Sequence, residues 1–288
     1  MKATTSGWIS GFIGILIFSI SLPATRLAVA DFNPLFLTMA RETIAGLLGL
    51  TLLLLFREKR PTTGQVGSLI IVAFGVVVGF PLLTALALQT ITSAHSTVYI
   101  GLLPLATAVF GVVRGGERPA PAFWLFSCLG SALVSGFAIH ESGNVLATGD
   151  LYMLVAIVVC GLGYAEGASL SRVLGGWQVI SWALVIALPL MAGLMFWAWP
   201  LTFEGIRFSA WAGLAYVSVF SMLIGFVFWY RGLALGGIAG VGQLQLLQPF
   251  MALGWAAVLL HEHVTPLMFV VTAAVVGCVV GSRKFSKS

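Results

Sequence analysis

Charge is scarce in this chain. Asp, Glu, Lys and Arg make up 8% of its 288 residues, against roughly 25% in soluble domains. With 59% hydrophobic residues and a mean hydropathy of +1.07, that excludes a soluble globular protein. Cysteine is scarce too. Cys128, Cys160 and Cys278 are odd in number and lie in apolar runs. Neither a disulfide framework nor a cysteine metal site fits that spacing, and they read as small hydrophobes within helices. Phosphate loops are missing: GxxxxGK[ST] does not occur, nor does GxGxxG with a following acidic residue. Gly161-Leu162-Gly163 lies in an apolar run with no strand before it. An ATP-driven pump is thereby excluded, and no cofactor is expected. The net charge of +5 points to no nucleic acid, because the basic residues form short clusters beside apolar segments, where they set membrane orientation. No cleavable signal is recognised. Lys2 precedes an apolar run too long for a signal-peptide core, so the first helix is expected to serve as an uncleaved anchor.

Long apolar runs are what the chain does have. A membrane helix needs about 20 apolar residues, and ten segments qualify: 7–29, 34–56, 66–88, 92–113, 119–139, 149–170, 178–199, 209–233, 239–260 and 266–281. The connections are too short for a soluble domain. With the N-terminus in the cytoplasm, ten spans return the C-terminus there. The cytoplasmic side then holds Lys2, Arg57, Lys59, Arg60, Arg114, Arg118, Arg172, Arg231, Arg283, Lys284 and Lys287, eleven of the 14 basic residues. That bias supports the orientation.

The stretch 85–134 organises the rest. Pro104 inside an apolar helix and Glu117 at its end recur as Pro249 and Glu262, both 145 residues later (249 − 104 = 262 − 117 = 145). Leu88/Leu233, Ala94/Ala239, Leu102/Leu247 and Val113/Val258 are identical at the same offset. Two units follow, 1–143 and 144–288, of five spans each. An odd number of spans forces the two units to cross the membrane in opposite senses, the inverted repeat of many secondary transporters.

In the first unit the pattern stands as Ala87-Leu88, Ala94, Pro104-Leu105 and Gly116-Glu117-Arg118; in the second it stands as Ala234-Leu235, Ala239, Pro249-Phe250 and His261-Glu262-His263. This resembles the EamA-type repeat of the drug/metabolite transporter superfamily over essentially the whole chain, with departures at Phe250 and His261. The resemblance implies export of small metabolites from the cytoplasm, with bacterial amino-acid exporters, aromatic ones included, as the nearest kind. Small multidrug relatives carry a membrane-embedded Glu in the first helix. Here that region is Ile13-Gly14-Ile15-Leu16-Ile17, which argues against a cationic-drug antiporter.

Polar groups in hydrocarbon are costly unless paired or facing a cavity, so they mark the candidate substrate site. His95 and Tyr99 share one face of the fourth span, and adding 145 brings that face to the turn carrying Gln248 on the ninth. Gln245 lies close by. Tyr164 on the sixth span, Trp229 on the eighth, Ser19 on the first and Thr84 on the third complete the set. Each has a plain alternative, as a packing aromatic or an interhelical hydrogen bond. Glu166 is an intramembrane carboxylate and so a candidate proton carrier. It lies in the cytoplasmic third of its span, where a basic neighbour such as Arg172 would neutralise it, and a structural role is expected. Glu117 and Glu262 read as braces of a short turn between helices. No Lys or Arg lies near the midplane of any span, which disfavours phosphorylated substrates.

The expectation is an all-α integral membrane protein: ten transmembrane helices, as two inverted five-helix repeats around a central cavity. It would be a multi-pass protein of the bacterial inner membrane with both termini cytoplasmic. It would export small neutral or zwitterionic metabolites, amino acids foremost, by alternating access. Its partners would be the bilayer and the solute, with a monomer expected and a homodimer the alternative. The alternatives are export of other metabolites or drugs, and, in a different class, a membrane enzyme with an outer-surface site at His140, His261 and His263. No metal site is expected.

Overall fold

The computed structural model describes residues 2–87, 90, 99–142, 148–260 and 266–286. They form ten helical segments and, among the described residues, no strand. In chain order these are α1 (Lys2–Val29), α2 (Pro34–Leu55), α3 (Thr63–Val72, continued through Ala73–Gly79 and Phe80–Ala87), α4 (Leu103–Val113), α5 (Pro121–Ser142) and α6 (Thr148–Ser171). Then follow α7 (Gly176–Trp197), α8 (Phe208–Tyr216, Val217–Ile224 and Gly225–Gly236), α9 (Ile238–Gly242, Gln243–Leu247 and Gln248–Leu260) and α10 (Pro266–Phe285). Six of them are long and apolar enough to cross a bilayer on length and composition alone, and α4 and α5 contribute shorter apolar stretches. Leu55, Val113, Leu125, Val258 and Val280 are exposed, as a lipid-facing surface requires.

The helices pack across the two repeats more than within them. α1 lies against α8 and α9, and its repeat counterpart α6 lies against α3 and α4, while α2 pairs with α7, α4 with α9 and α5 with α10. The last three pairs each join a helix to its own counterpart, and each is antiparallel. A Cβ added at Gly111 would meet Ile238 and Ala239, and one at Gly242 would meet Thr107. Gly46 faces Leu188 and Leu184, whereas Gly49 faces Ser181. Gly130 adjoins Cys278, and Gly281 adjoins Phe126. Residue numbers rise on one partner as they fall on the other, so the repeats are inverted.

Glycine is indispensable where α1 meets α8. A Cβ on Gly232 would lie 2.5 Å from the Gly11 nitrogen, and one on Gly7 would strike the Gly236 backbone. This is the close backbone approach that small residues permit between membrane helices.

Among the described residues, three helical segments depart from α geometry. Ala73–Gly79 in α3 and Val217–Ile224 in α8 are π-helical. They start 144 and end 145 residues apart (217 − 73 and 224 − 79), so the widening belongs to the repeat. Gln243–Leu247 in α9 is a 3-10 helix, where the sequence predicts one continuous apolar span. Pro249 is the cause. Its ring crowds the carbonyl four residues back and it has no N–H to offer, and the chain tightens before it. At the equivalent Pro104, the Leu102 N–H donates to the Tyr99 carbonyl at 2.8 Å, also an i to i+3 bond.

Candidate functional site

Three of the expected residues stand at one depth. Tyr164 is seven residues from the end of α6, Trp229 seven from the end of α8 and Gln245 seven from the start of α9. Each is therefore about 10 Å in from the same end of the bundle. Tyr164 and Trp229 meet edge to face, with ring centroids 5.6 Å apart. Phe226 joins both Tyr164 at 6.0 Å and Phe18 of α1 at 4.9 Å, and Phe18 reaches Trp229 at 6.3 Å. The Trp229 ring also lies beside Gly11, where Leu244 packs. Tyr230 covers Gly167 and donates to the Gly163 carbonyl at 3.4 Å.

Within this aromatic layer some hydrogen-bonding capacity is left over. Trp229 is completely buried and its Nε1 has no partner. Gln245 donates through Nε2 to Thr107 Oγ1 at 3.4 Å and to the Gly242 carbonyl at 3.2 Å, while its Oε1 is unpartnered. Buried polar atoms in native proteins are nearly all paired. A free donor and a free acceptor at one depth of the bundle are what a small solute with both polarities would satisfy.

The other expected residues lie elsewhere. Tyr99 is half-buried and its hydroxyl hydrogen-bonds Asp150, near the start of α6 and the opposite end of the bundle. Gln248 is half-buried, one turn beyond Gln245. Thr84 keeps an unpartnered Oγ1. Ser19 is committed to structure: its hydroxyl donates to the Leu16 carbonyl at 2.7 Å and accepts from Trp255 Nε1 at 3.0 Å, tying α1 to α9. His95, His261, Glu262 and His263 lie outside the described residues, as does the His140 side chain. Among the described residues no group of His, Cys, Asp or Glu could hold a metal. Sequence reasoning missed Thr107, whose position on the Pro104 helix opposite Gln245 follows only from the α4–α9 pairing. It missed Asp150 as well, because the acidic end of a span reads as a boundary.

Ion pairs join the repeats at both ends. Near the aromatic layer, Arg114 grips Glu166 with two bonds, Nε to Oε2 at 2.8 Å and Nη2 to Oε1 at 3.1 Å, and Ser68 donates to Oε1 at 2.6 Å. The carboxylate holds the Arg114 guanidinium above its ordinary range. Arg114, not Arg172, is the neutralising group. Glu166→Gln is therefore expected to lower thermal stability while leaving the ratio of efflux with and without a pH gradient unchanged. Loss of that ratio in vesicles would make Glu166 a proton carrier. Glu117 accepts from the Ile238 and Ala239 backbone N–H groups at 2.6 and 2.7 Å and pairs with Arg172 at 3.2 Å. It thus caps α9 in the other repeat. At the far end Arg207 forks onto Asp31, with Nη2 to Oδ1 at 2.9 Å and Nε to Oδ2 at 3.0 Å. Its hydrogen bonds hold the Asp31 carboxyl below the usual range.

A ten-helix inverted bundle with an aromatic layer about 10 Å in from one end is the architecture of a multi-pass membrane transporter. The EamA-like transporter family matches residues 5–136 and again 147–282, and the chain belongs to that family. It is 65% identical over 287 residues to the uncharacterized transporter YdeK of Bacillus subtilis (strain 168), covering 100% of both chains. It is also 26% identical over 270 residues to the uncharacterized transporter sll0355 of Synechocystis sp. (strain ATCC 27184 / PCC 6803 / Kazusa), covering 86% of this chain and 81% of that one. A solved crystal structure of another protein superposes with a TM-score of 0.82 at 21% identity, over 96% of this chain and 98% of the other. That likeness concerns the fold.

Proposed function

We propose that this protein is a secondary transporter that exports small neutral or zwitterionic metabolites by alternating access. Amino acids with bulky apolar or aromatic side chains are the favoured class. The observation that carries the reading is the unpaired Trp229 Nε1 and Gln245 Oε1 at the depth of the aromatic layer. A carboxylate accepts from the indole N–H, an ammonium donates to the amide oxygen, and the Tyr164, Phe226 and Phe18 rings receive an apolar side chain. Tyr99 and Gln248 are the contacts on the way toward the other end. The cytoplasmic membrane is the proposed location, with both termini cytoplasmic, which puts the Arg114, Glu117 and Arg172 end inside. A cysteine at Gly116 should then react only with membrane-permeant reagents, and labelling by an impermeant one would reverse the orientation.

The test is an efflux and counterflow screen of the twenty amino acids in vesicles containing the protein. Tyr99→Ala is expected to weaken transport of large substrates more than small ones, by ~1–3 kcal/mol of lost ring contact. Gln248→Leu should affect all substrates about equally, since an amide contacts the shared polar part. Tyr99→Phe, which drops only the Asp150 bond, separates the ring from the hydroxyl. Wild-type efflux of both large and small substrates from Tyr99→Ala would place Tyr99 off the pathway.

A further inference from the structure

A second set of unpaired polar atoms lies away from the aromatic layer, between α5 and α9. Gln243 is completely buried, and neither Nε2 nor Oε1 has a partner. On α5, Ser127 is completely buried with an unpartnered Oγ, and Ser131, one turn on, is buried and likewise unpartnered. Hydroxyls in membrane helices commonly turn back onto their own helix. Thr43, Thr107, Ser171 and Ser218 do so here, whereas Ser127 and Ser131 do not.

Packing puts these groups level with one another. Phe123 of α5 and Ala239 of α9 belong to one small apolar cluster with Ala108. Farther along, the Leu246 side chain fills the space at Gly130. Both pairs, the first sharing a cluster and the second in contact, have an offset of 116 (239 − 123 and 246 − 130), as two parallel helices in one register do. Ser127 lies between Phe123 and Gly130 on one face of α5. Gln243, also at offset 116, lies between Ala239 and Leu246 on α9. The shared offset places Gln243 level with Ser127, and no direct hydrogen bond joins them. Gln243 also opens the 3-10 segment that carries Gln245.

We infer that this level is a buried hydration site, in which water bridges the Gln243 amide to the Ser127 and Ser131 hydroxyls beside the 3-10 segment. The donor set selects water over a cation. A cation satisfies the oxygens and leaves the Nε2 protons unpaired, whereas water both donates and accepts. Buried waters typically make about three hydrogen bonds to such groups, and this site offers an amide and two hydroxyls. The water gives the start of the 3-10 segment polar partners that the protein itself does not supply.

Pulsed X-ray radiolysis of the full-length protein in nanodiscs, read by mass spectrometry, tests this, because radicals form from the bound water itself. Cys278, which adjoins Gly130 and is 4% exposed, should be oxidised several-fold faster than Cys160, which is 0% exposed. The rate should fall to that of Cys160 in the Gln243→Leu/Ser127→Ala double variant. Ser127→Ala alone, the milder change, should give an intermediate rate. Wild-type oxidation of Cys278 no faster than that of Cys160 would overturn the site. Suppression of the labelling by sodium but not by choline would overturn water in favour of a cation.

Discussion

Trp229→Phe is expected to leave the protein folded, or slightly stabilised, and to cut efflux of amino acids about tenfold or more. The indole N–H is buried with no partner, a condition that costs ~1–3 kcal/mol in a folded chain. Phenylalanine keeps the ring contacts to Tyr164 and Phe18 and removes the unpaired donor. If the N–H binds a substrate carboxylate, that charge-assisted bond is worth roughly 1.5–3 kcal/mol, and each ~1.4 kcal/mol is a factor of ten. Stability and transport therefore move in opposite directions. The measurement is efflux normalised to protein level, alongside the thermal midpoint. A raised midpoint with wild-type efflux would make Trp229 a packing residue and remove the reading of the aromatic layer as a binding site. Trp229→Ala is not a substitute, since emptying so large a buried site costs ~3–5 kcal/mol in packing alone.

The second large effect is expected at Glu117, this time on stability. Its carboxylate accepts two short bonds from the first N–H groups of α9, across 121 and 122 residues of sequence. It combines a helix cap with a negative charge at the positive end of the helix dipole. Glu117→Ala should cost ~2–3 kcal/mol, from the cap and the charge-assisted bonds together, lowering the midpoint by roughly 5–10 °C. Glu117→Gln keeps an acceptor and should fall between the two. Arg172→Ala should be nearly silent, because Arg172 is 40% exposed where it meets Glu117 and exposed ion pairs contribute ~0–1 kcal/mol. An unchanged midpoint in Glu117→Ala would mean that α9 holds its start without the cap.

These two residues differ in how far their roles could be seen beforehand. Trp229 is recognisable as an aromatic inside a span, but its unpaired N–H emerges only when Gly11, Phe18 and Tyr164 close around it. Glu117 is recognisable from its 145-residue offset, and in the sequence it reads as a brace of a short turn. Its actual partners are backbone groups in the opposite repeat, and no local pattern encodes that reach.

The sequence by itself determined the ten apolar spans, the repeat and its offset, and the bias of basic residues to one end. These are properties of composition and period, which a bilayer reads directly because every span must satisfy its backbone within itself. Only the tertiary structure decided the rest. It sent Arg114 rather than Arg172 to Glu166, committed Ser19 to Trp255, and drew Tyr99 to Asp150. It wound α9 tightly before Pro249 and widened α3 and α8 at matching places. The reason is that the polar side chains of a membrane bundle find their partners on other helices, so their roles depend on which helices touch and in what register.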